Sequence, residues 1–152
     1  MADERELSIS RIIDAPREKI FEAWTDPGKL SQWWAPRPYA TPFCEIDPRS
    51  GGTFKTSMVG PDGVEYPANG VYLEVVAPSK IVFTDAYTES WVPAEKPFMT
   101  VTITFEDVDG KTRYTARVLH WTVEDRKQHE EMGFHEGWGQ CLDQLTALVT
   151  GG

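Results

Sequence analysis

His120 ends a run in which Tyr114, Ala116 and Val118 alternate with Arg113, Thr115 and Arg117, so on a strand its imidazole shares the apolar face. An imidazole there can donate, accept or transfer a proton near neutral pH. With Tyr114, Asp85 or Glu136 in reach it would have partners for general acid and base work. The competing reading is a structural histidine satisfied inside the core, and spacing along the chain leaves both open.

The other candidates for chemistry are weaker. His129 and His135 stand six positions apart, which on a helix turns them about 240° from one another. They do not converge on one ion as an i, i+4 pair does. Glu130, Glu131 and Glu136 read as the solvated face of the same segment. Cys44 and Cys141 show neither zinc spacing nor a disulfide framework and read as two reduced thiols, Cys141 as a small hydrophobic filler. The chain has no Gly-x-Ser-x-Gly elbow, and Gly51-Gly52 precedes a strand, where it fits a turn better than a phosphate cradle. No metal, nucleotide or other cofactor is expected.

What remains is binding. Phe54, Met58, Val71, Leu73, Phe83, Val101, Ile103, Tyr114, Val118 and His120 on strands, with Met132, Trp138 and Cys141 on a C-terminal helix, can line an apolar pocket that a few polar tips orient. Trp33, Trp34 and Trp91 fall in or beside irregular segments and suit its mouth or lid. For each of these residues taken singly, ordinary core packing competes.

The elements that position them follow from periodicity. Leu7 to Ile13 alternates as a strand, and Asp14-Ala15-Pro16 opens a helix with Ile20, Phe21 and Trp24 on one face. Asp26-Pro27 caps a second short helix carrying Leu30, Trp33 and Trp34. Pro36, Pro38 and Pro42 impose an irregular connection. Strands are then expected over 43–47, 53–58, 70–76 and 81–87, with Val71, Leu73 and Val75 opposite Tyr72 and Glu74. A loop over 88–97 holds Trp91. Strands over 99–105 and 112–121 meet at Asp109-Gly110, a strong hairpin signal. From Val123 onward one long helix is expected, with Phe134, Trp138, Cys141, Leu145 and Leu148 on its apolar stripe and Leu142 and Val149 alongside. Gly133, Gly137 and Gly139 inside it are read as allowing close approach of a strand or ligand.

The chain of 152 residues fits a single domain, 1–152, of α+β class: a curved antiparallel sheet of about six to seven strands around one C-terminal helix, with two short helices after the first strand. A charge of −9, from 15 basic and 24 acidic residues, disfavours nucleic acid and anionic membrane surfaces as partners. A charged N-terminus and no apolar run long enough for a membrane span point to a cytoplasmic protein. Its 7 Phe, 5 Tyr and 6 Trp must either pack or line a cavity.

An ordered set of motifs spans nearly the whole chain: Arg11-x-Ile-x-Ala15-Pro16, Phe21-x-Ala-Trp-Thr-Asp-Pro27, Trp33-Trp34-x-Pro36, Gly51-Gly52-x-Phe54, Gly70-Val-Tyr-Leu-Glu-Val, Ile81-Val-Phe-Thr84, Val101-Thr-Ile-Thr-Phe105 and Gly137-Trp138-Gly-Gln-Cys-Leu142-x-x-Leu145. Together they resemble the START-like, or SRPBCC, superfamily, in its AHSA-like branch named for an activator of a heat-shock-protein ATPase. The resemblance implies a helix-grip fold with a deep hydrophobic pocket between sheet and C-terminal helix. It implies fold more firmly than function, since the superfamily holds lipid carriers, hormone receptors, polyketide cyclases and a co-chaperone domain. The expected function is binding of a hydrophobic small molecule, lipid-like or aromatic. A cofactor-free cyclase, dehydratase or hydrolase in the same cavity is the enzymatic alternative. A co-chaperone-like or stress-response interaction module, with a chaperone partner, rests on family analogy alone. An edge strand or the exposed Trp segments offer a surface for a homodimer.

Overall fold

In the computed structural model, residues 4–35, 38–89, 92–93 and 99–150 are described. β1 (Glu6–Ile13) leads into α1 (Arg17–Thr25) and α2 (Pro27–Trp33). Asp26 ends α1 and begins α2: its Oδ1 accepts from Gly28 N at 2.9 Å and Lys29 N at 3.2 Å, with Pro27 at the first helical position. The two helices bury Ile20, Ala23, Trp24, Leu30 and Trp33.

β2 (Ala40–Ile46), β3 (Thr53–Val59), β4 (Glu65–Val76) and β5 (Lys80–Thr84) form a meander, and β8 (Met99–Val108) and β9 (Lys111–His120) close the sheet against β1. A short ladder of β6 (Tyr87–Glu89) and β7 (Val92–Pro93) stands apart from it. The seven-stranded order is β1-β9-β8-β5-β4-β3-β2, antiparallel throughout. This curved sheet and the C-terminal helix make the expected α+β helix-grip arrangement.

β8 and β9 form the clearest part of the core. Val101 faces Val118, Ile103 faces Ala116 and Phe105 faces Tyr114 across the pair, and all six are buried. Asp109 and Gly110 join them in a two-residue turn, both at positive φ (54° and 84°), which matches the right-handed strand twist.

Three expectations about the elements need correction. The strand expected from Ile81 to Tyr87 stops at Thr84, whose Oγ1 accepts from Ala86 N at 3.1 Å and bends the chain. In β4 the register shifts between Tyr72 and Glu74, which breaks the alternation: Tyr72 is fully buried and Leu73 is 45% exposed. The single C-terminal helix is two, α3 (Val123–Glu131) and α4 (Phe134–Thr150), parted at Gly133 with φ +97°. That glycine marks a break because it adopts a left-handed conformation that side chains oppose. The burial explains the division: α3 buries nothing, whereas α4 buries Phe134, Leu142, Leu145 and Val149.

Candidate functional site

α4 meets α1, α2 and β1, and short of its N-terminal turns the surfaces do not close. A cavity of about 340 Å³ lies there, walled by Trp33 at the end of α2 and Trp34 just after it, Met58 of β3, Met99 of β8, Tyr114 of β9, His129 of α3, and Met132, Gly133, Phe134, Gly137, Trp138, Cys141 and Leu142. The three methionines are all those of the chain beyond Met1. Their thioethers are polarizable and unbranched, and with five aromatic residues they make a wall that can adapt to a ring-bearing guest.

Gly137 shapes this wall by lacking a side chain. A Cβ built on it would meet no atom within 4 Å, so the residue opens onto the cavity and is not pressed against a strand. Gly139 stands 3.9 Å from Ile9 Cδ1 by the same measure, an ordinary contact.

Trp34 and Met99 also line a second cavity of about 270 Å³, with Phe54, Phe83, Asn69, Gly70 and Asp85. Phe54 and Phe83 stack face to face there, 4.4 Å apart and 7° from parallel. The two hollows therefore lie on either side of a ring cluster in which Trp34 contacts Trp24, Trp33, Phe54 and Trp138 edge-on.

The polar groups of the main wall are few. Trp33 Nε1 donates to Ala23 O at 3.0 Å, and the Cys141 thiol donates to Trp34 O at 3.3 Å. Burial pushes that thiol up to about 12, so it is a neutral packing group and no nucleophile. Burial likewise raises the Tyr114 phenol well above its usual value. His129 Nδ1 lies 2.8 Å from His120 Nε2, and His120 Nδ1 lies 2.7 Å from Arg5 O. Burial, then the neighbouring His120, pulls His129 down to about 4.

The sequence candidates therefore separate. Met58, Tyr114, Met132, Trp138 and Cys141 line the main cavity, as do Trp33 and Trp34. The two tryptophans are buried wall, 2% and 9% exposed, and not a mouth or lid, because α2 folds them onto Trp24. Phe54 and Phe83 belong to the second cavity. Val101, Ile103 and Val118 are solid core, fully buried between sheet and helices, and line none of the described cavities. Val71 is buried outside the central apolar cluster and Leu73 faces outward, because the pairing of Gly70 with Phe54 and of Tyr72 with Phe83 turns Tyr72 to the core and its neighbours away. Trp91 lies outside the described residues. His120 is buried behind the wall and is held by Arg5 O and His129. The groups offered for proton transfer do not converge: Tyr114 lines the main cavity, Asp85 the second, where its Oδ1 accepts from Met99 N at 3.0 Å, and Glu136 lines neither.

His129 is the residue that sequence reasoning missed. Weighed only against His135, it gave no pair for one ion, whereas its partner is His120 across the turn from β9 into α3. Met99, Phe134 and Leu142 were legible as apolar positions of their strand and helix but not as cavity wall. Among the described residues there is no group of three or more His, Cys, Asp or Glu placed to hold a metal ion, and no helix long and apolar enough to cross a membrane.

The family model described as "Activator of Hsp90 ATPase homolog 1-like protein" matches residues 14–150. Among solved structures, protein NE0264 from Nitrosomonas europaea is 37% identical, with a TM-score of 0.95 over 99% of this chain and 97% of that one. Protein Ms6760 from Mycobacterium smegmatis is 30% identical, with a TM-score of 0.82 over 97% and 91%. An AHSA1-like protein from Aeromonas hydrophila, 23% identical with a TM-score of 0.74 over 96% and 92%, shares the fold. No curated protein sequence gives a significant match.

Proposed function

The chain belongs to the family of Activator of Hsp90 ATPase homolog 1-like proteins, and from that premise we propose that it binds an apolar, ring-bearing small molecule in the cavity beside α4. The observation that carries this reading is the cavity itself: about 340 Å³, walled by Trp33, Trp34, Phe134, Trp138 and three methionines, with few polar groups among them. An apolar molecule that leaves water for such a wall gains roughly 25 cal/mol for each Å² of its surface covered. Soft methionine edges and tryptophan faces favour a flat ring over a flexible chain, which would lose more freedom on being held.

The test is titration with 2-methylnaphthalene, followed by quenching of tryptophan emission, alongside mass spectrometry of the native protein taken from cells. Saturable quenching that a side chain built at Gly137 abolishes supports the reading. Absence of saturable binding up to the solubility limit of the probe, with no co-purifying small molecule, overturns it.

A further inference from the structure

Of the cavity's wall residues Met132 alone is exposed, at 71%, and His129, Gly133 and Gly137 beside it are half-buried. The cavity therefore meets solvent where α3 gives way to α4. Two exposed carboxylates flank that opening in the chain, Glu131 at the end of α3 and Glu136 in the first turn of α4. Geometry places Glu136 more closely: a Cβ built on Gly133, itself part of the wall, would have Glu136 Oε2 at 3.9 Å and no other atom within 4 Å. Among the described residues neither carboxylate has a hydrogen-bond or ion-pair partner, and Arg126 of α3 is engaged by Glu130 at 2.7 Å. The interior is the reverse of the mouth. It is made of indole rings, thioethers and aliphatic groups, and burial keeps His129 neutral at neutral pH. A charged group carried into it would lose its water without gaining a countercharge, so the charge of an ionic guest stays at the opening.

We propose, resting on the apolar-cavity reading above, that the site is selective for ring-bearing amines: the ring lies among the tryptophans and methionines, and its ammonium stays in water at the mouth against the Glu136 carboxylate. Glu136 is then the specificity-determining residue. The net charge of −9 acts in the same direction, enriching cations near the surface and repelling anionic guests. A carboxylate in the first turn of α4 also suits the helix dipole. That role asks nothing of a guest, so stability and guest preference separate the two.

The experiment titrates three probes built on one ring system, 2-naphthylmethylamine, 2-naphthoate and the neutral 2-methylnaphthalene, into the wild-type chain, Glu136→Gln and Glu136→Lys. Glu45→Gln is the control for net charge alone, since Glu45 is exposed on the edge strand β2 between Cys44 and Ile46, which pack on the core. An exposed charge pair corresponds to about twofold in affinity. Glu136→Lys turns attraction into repulsion for the amine and the opposite for the carboxylate, four such steps, so the amine-to-carboxylate affinity ratio should fall by about tenfold or more. Glu136→Gln should lie between, Glu45→Gln should leave the ratio near that of wild type, and 2-methylnaphthalene should bind all four chains alike. Raising the salt from about 0.01 M to about 0.15 M should shrink the wild-type preference, because the screening length falls from about 30 Å to about 8 Å. Thermal melts report whether each variant folds. A ratio that Glu136→Lys leaves unchanged, that Glu45→Gln shifts as far as Glu136→Gln, or that salt does not move overturns the selectivity, and saturable binding of 2-methylnaphthalene then leaves the apolar cavity standing. Binding of none of the three probes to the wild-type chain removes the cavity reading and this one with it.

Discussion

Placing a side chain at Gly137 should separate what the cavity does for binding from what it costs in stability. The residue lies in the first turns of α4, and a Cβ there meets no atom within 4 Å. Gly137→Ala should therefore stabilise the helix by roughly 0.5–1 kcal/mol, the usual gain on replacing glycine in a helix. In a chain of this size that corresponds to about 2–4 °C in Tm per kcal/mol. Gly137→Leu keeps the helical gain and projects a four-carbon side chain into the space a guest would occupy. It should fold at least as stably as wild type and bind 2-methylnaphthalene at least about tenfold more weakly, or 1.4 kcal/mol. Gly139→Ala is the control: its Cβ would rest at ordinary contact on Ile9, away from the cavity, so it should gain stability without touching affinity. Thermal melts and the quenching titration read both quantities on the same samples. A lower Tm for Gly137→Ala would refute the open space, and unimpaired binding by Gly137→Leu would refute the location of the guest.

Other expectations follow from single contacts. Gly70→Ala should destabilise by about 2 kcal/mol or more, because its Cβ would stand 2.5 Å from Thr84 O, a backbone atom that cannot move without breaking β4 from β5; urea denaturation measures it, and a neutral substitution would contradict the packing. Phe54→Ala removes one member of the stacked pair with Phe83 and should cost about 3–5 kcal/mol by the same method. Asp26→Ala deletes the cap shared by Gly28 N and Lys29 N and should cost about 1 kcal/mol. His129 has a folded pKa of about 4 against an ordinary value of 6.5, so the unfolded chain takes up the proton first; its contribution is intact above pH 6.5 and is lost as pH falls toward 4. Denaturation midpoints across that window should fall less steeply for His129→Gln than for wild type, and parallel slopes would refute the assignment.

Where a signal was local and repeated, the sequence carried it into the structure. The alternation of Val101, Ile103 and Phe105 against threonines, the Asp109-Gly110 turn and the Asp26-Pro27 cap each involve neighbours within a few positions, and each stands as read. The failures have other causes. One dihedral at Gly133 parts the polar α3 from the apolar stripe that begins at Phe134, and a register shift in β4 puts Tyr72 inward and Leu73 outward. The shift in β4 leaves no mark on the pattern of residue types, whereas the polar run before Gly133 is continuous with helix-forming residues and reads as part of one helix. Trp33 and Trp34 looked like a pocket mouth because prolines follow them, yet their surroundings were set by Trp24 and α4, which the linear neighbourhood does not contain. The site was legible as a list of apolar faces; which faces diverge enough to leave a hollow depends on how far α4 stands from α2 and the sheet.

The break at Gly133 also divides the cavity wall by how firmly it is held. Trp33, Trp34, Tyr114, Phe134 and Leu142 are anchored in the common core and can leave only with it. α3, which supplies His129 and runs into Met132, contributes no buried residue; among its ties are the Thr122 cap to Asp125 N at 3.1 Å and Arg126 Nε donating to Glu4 O at 2.8 Å. Unwinding it exposes little apolar surface, so its local opening free energy lies far below that of the seven-stranded sheet, and its amides should exchange with deuterium well before those of α4. The proposed guest would then owe its residence time to one surface helix and its affinity to the rings behind it. Substitutions at Thr122 or Arg126 can change how fast the molecule comes and goes without altering what it rests against.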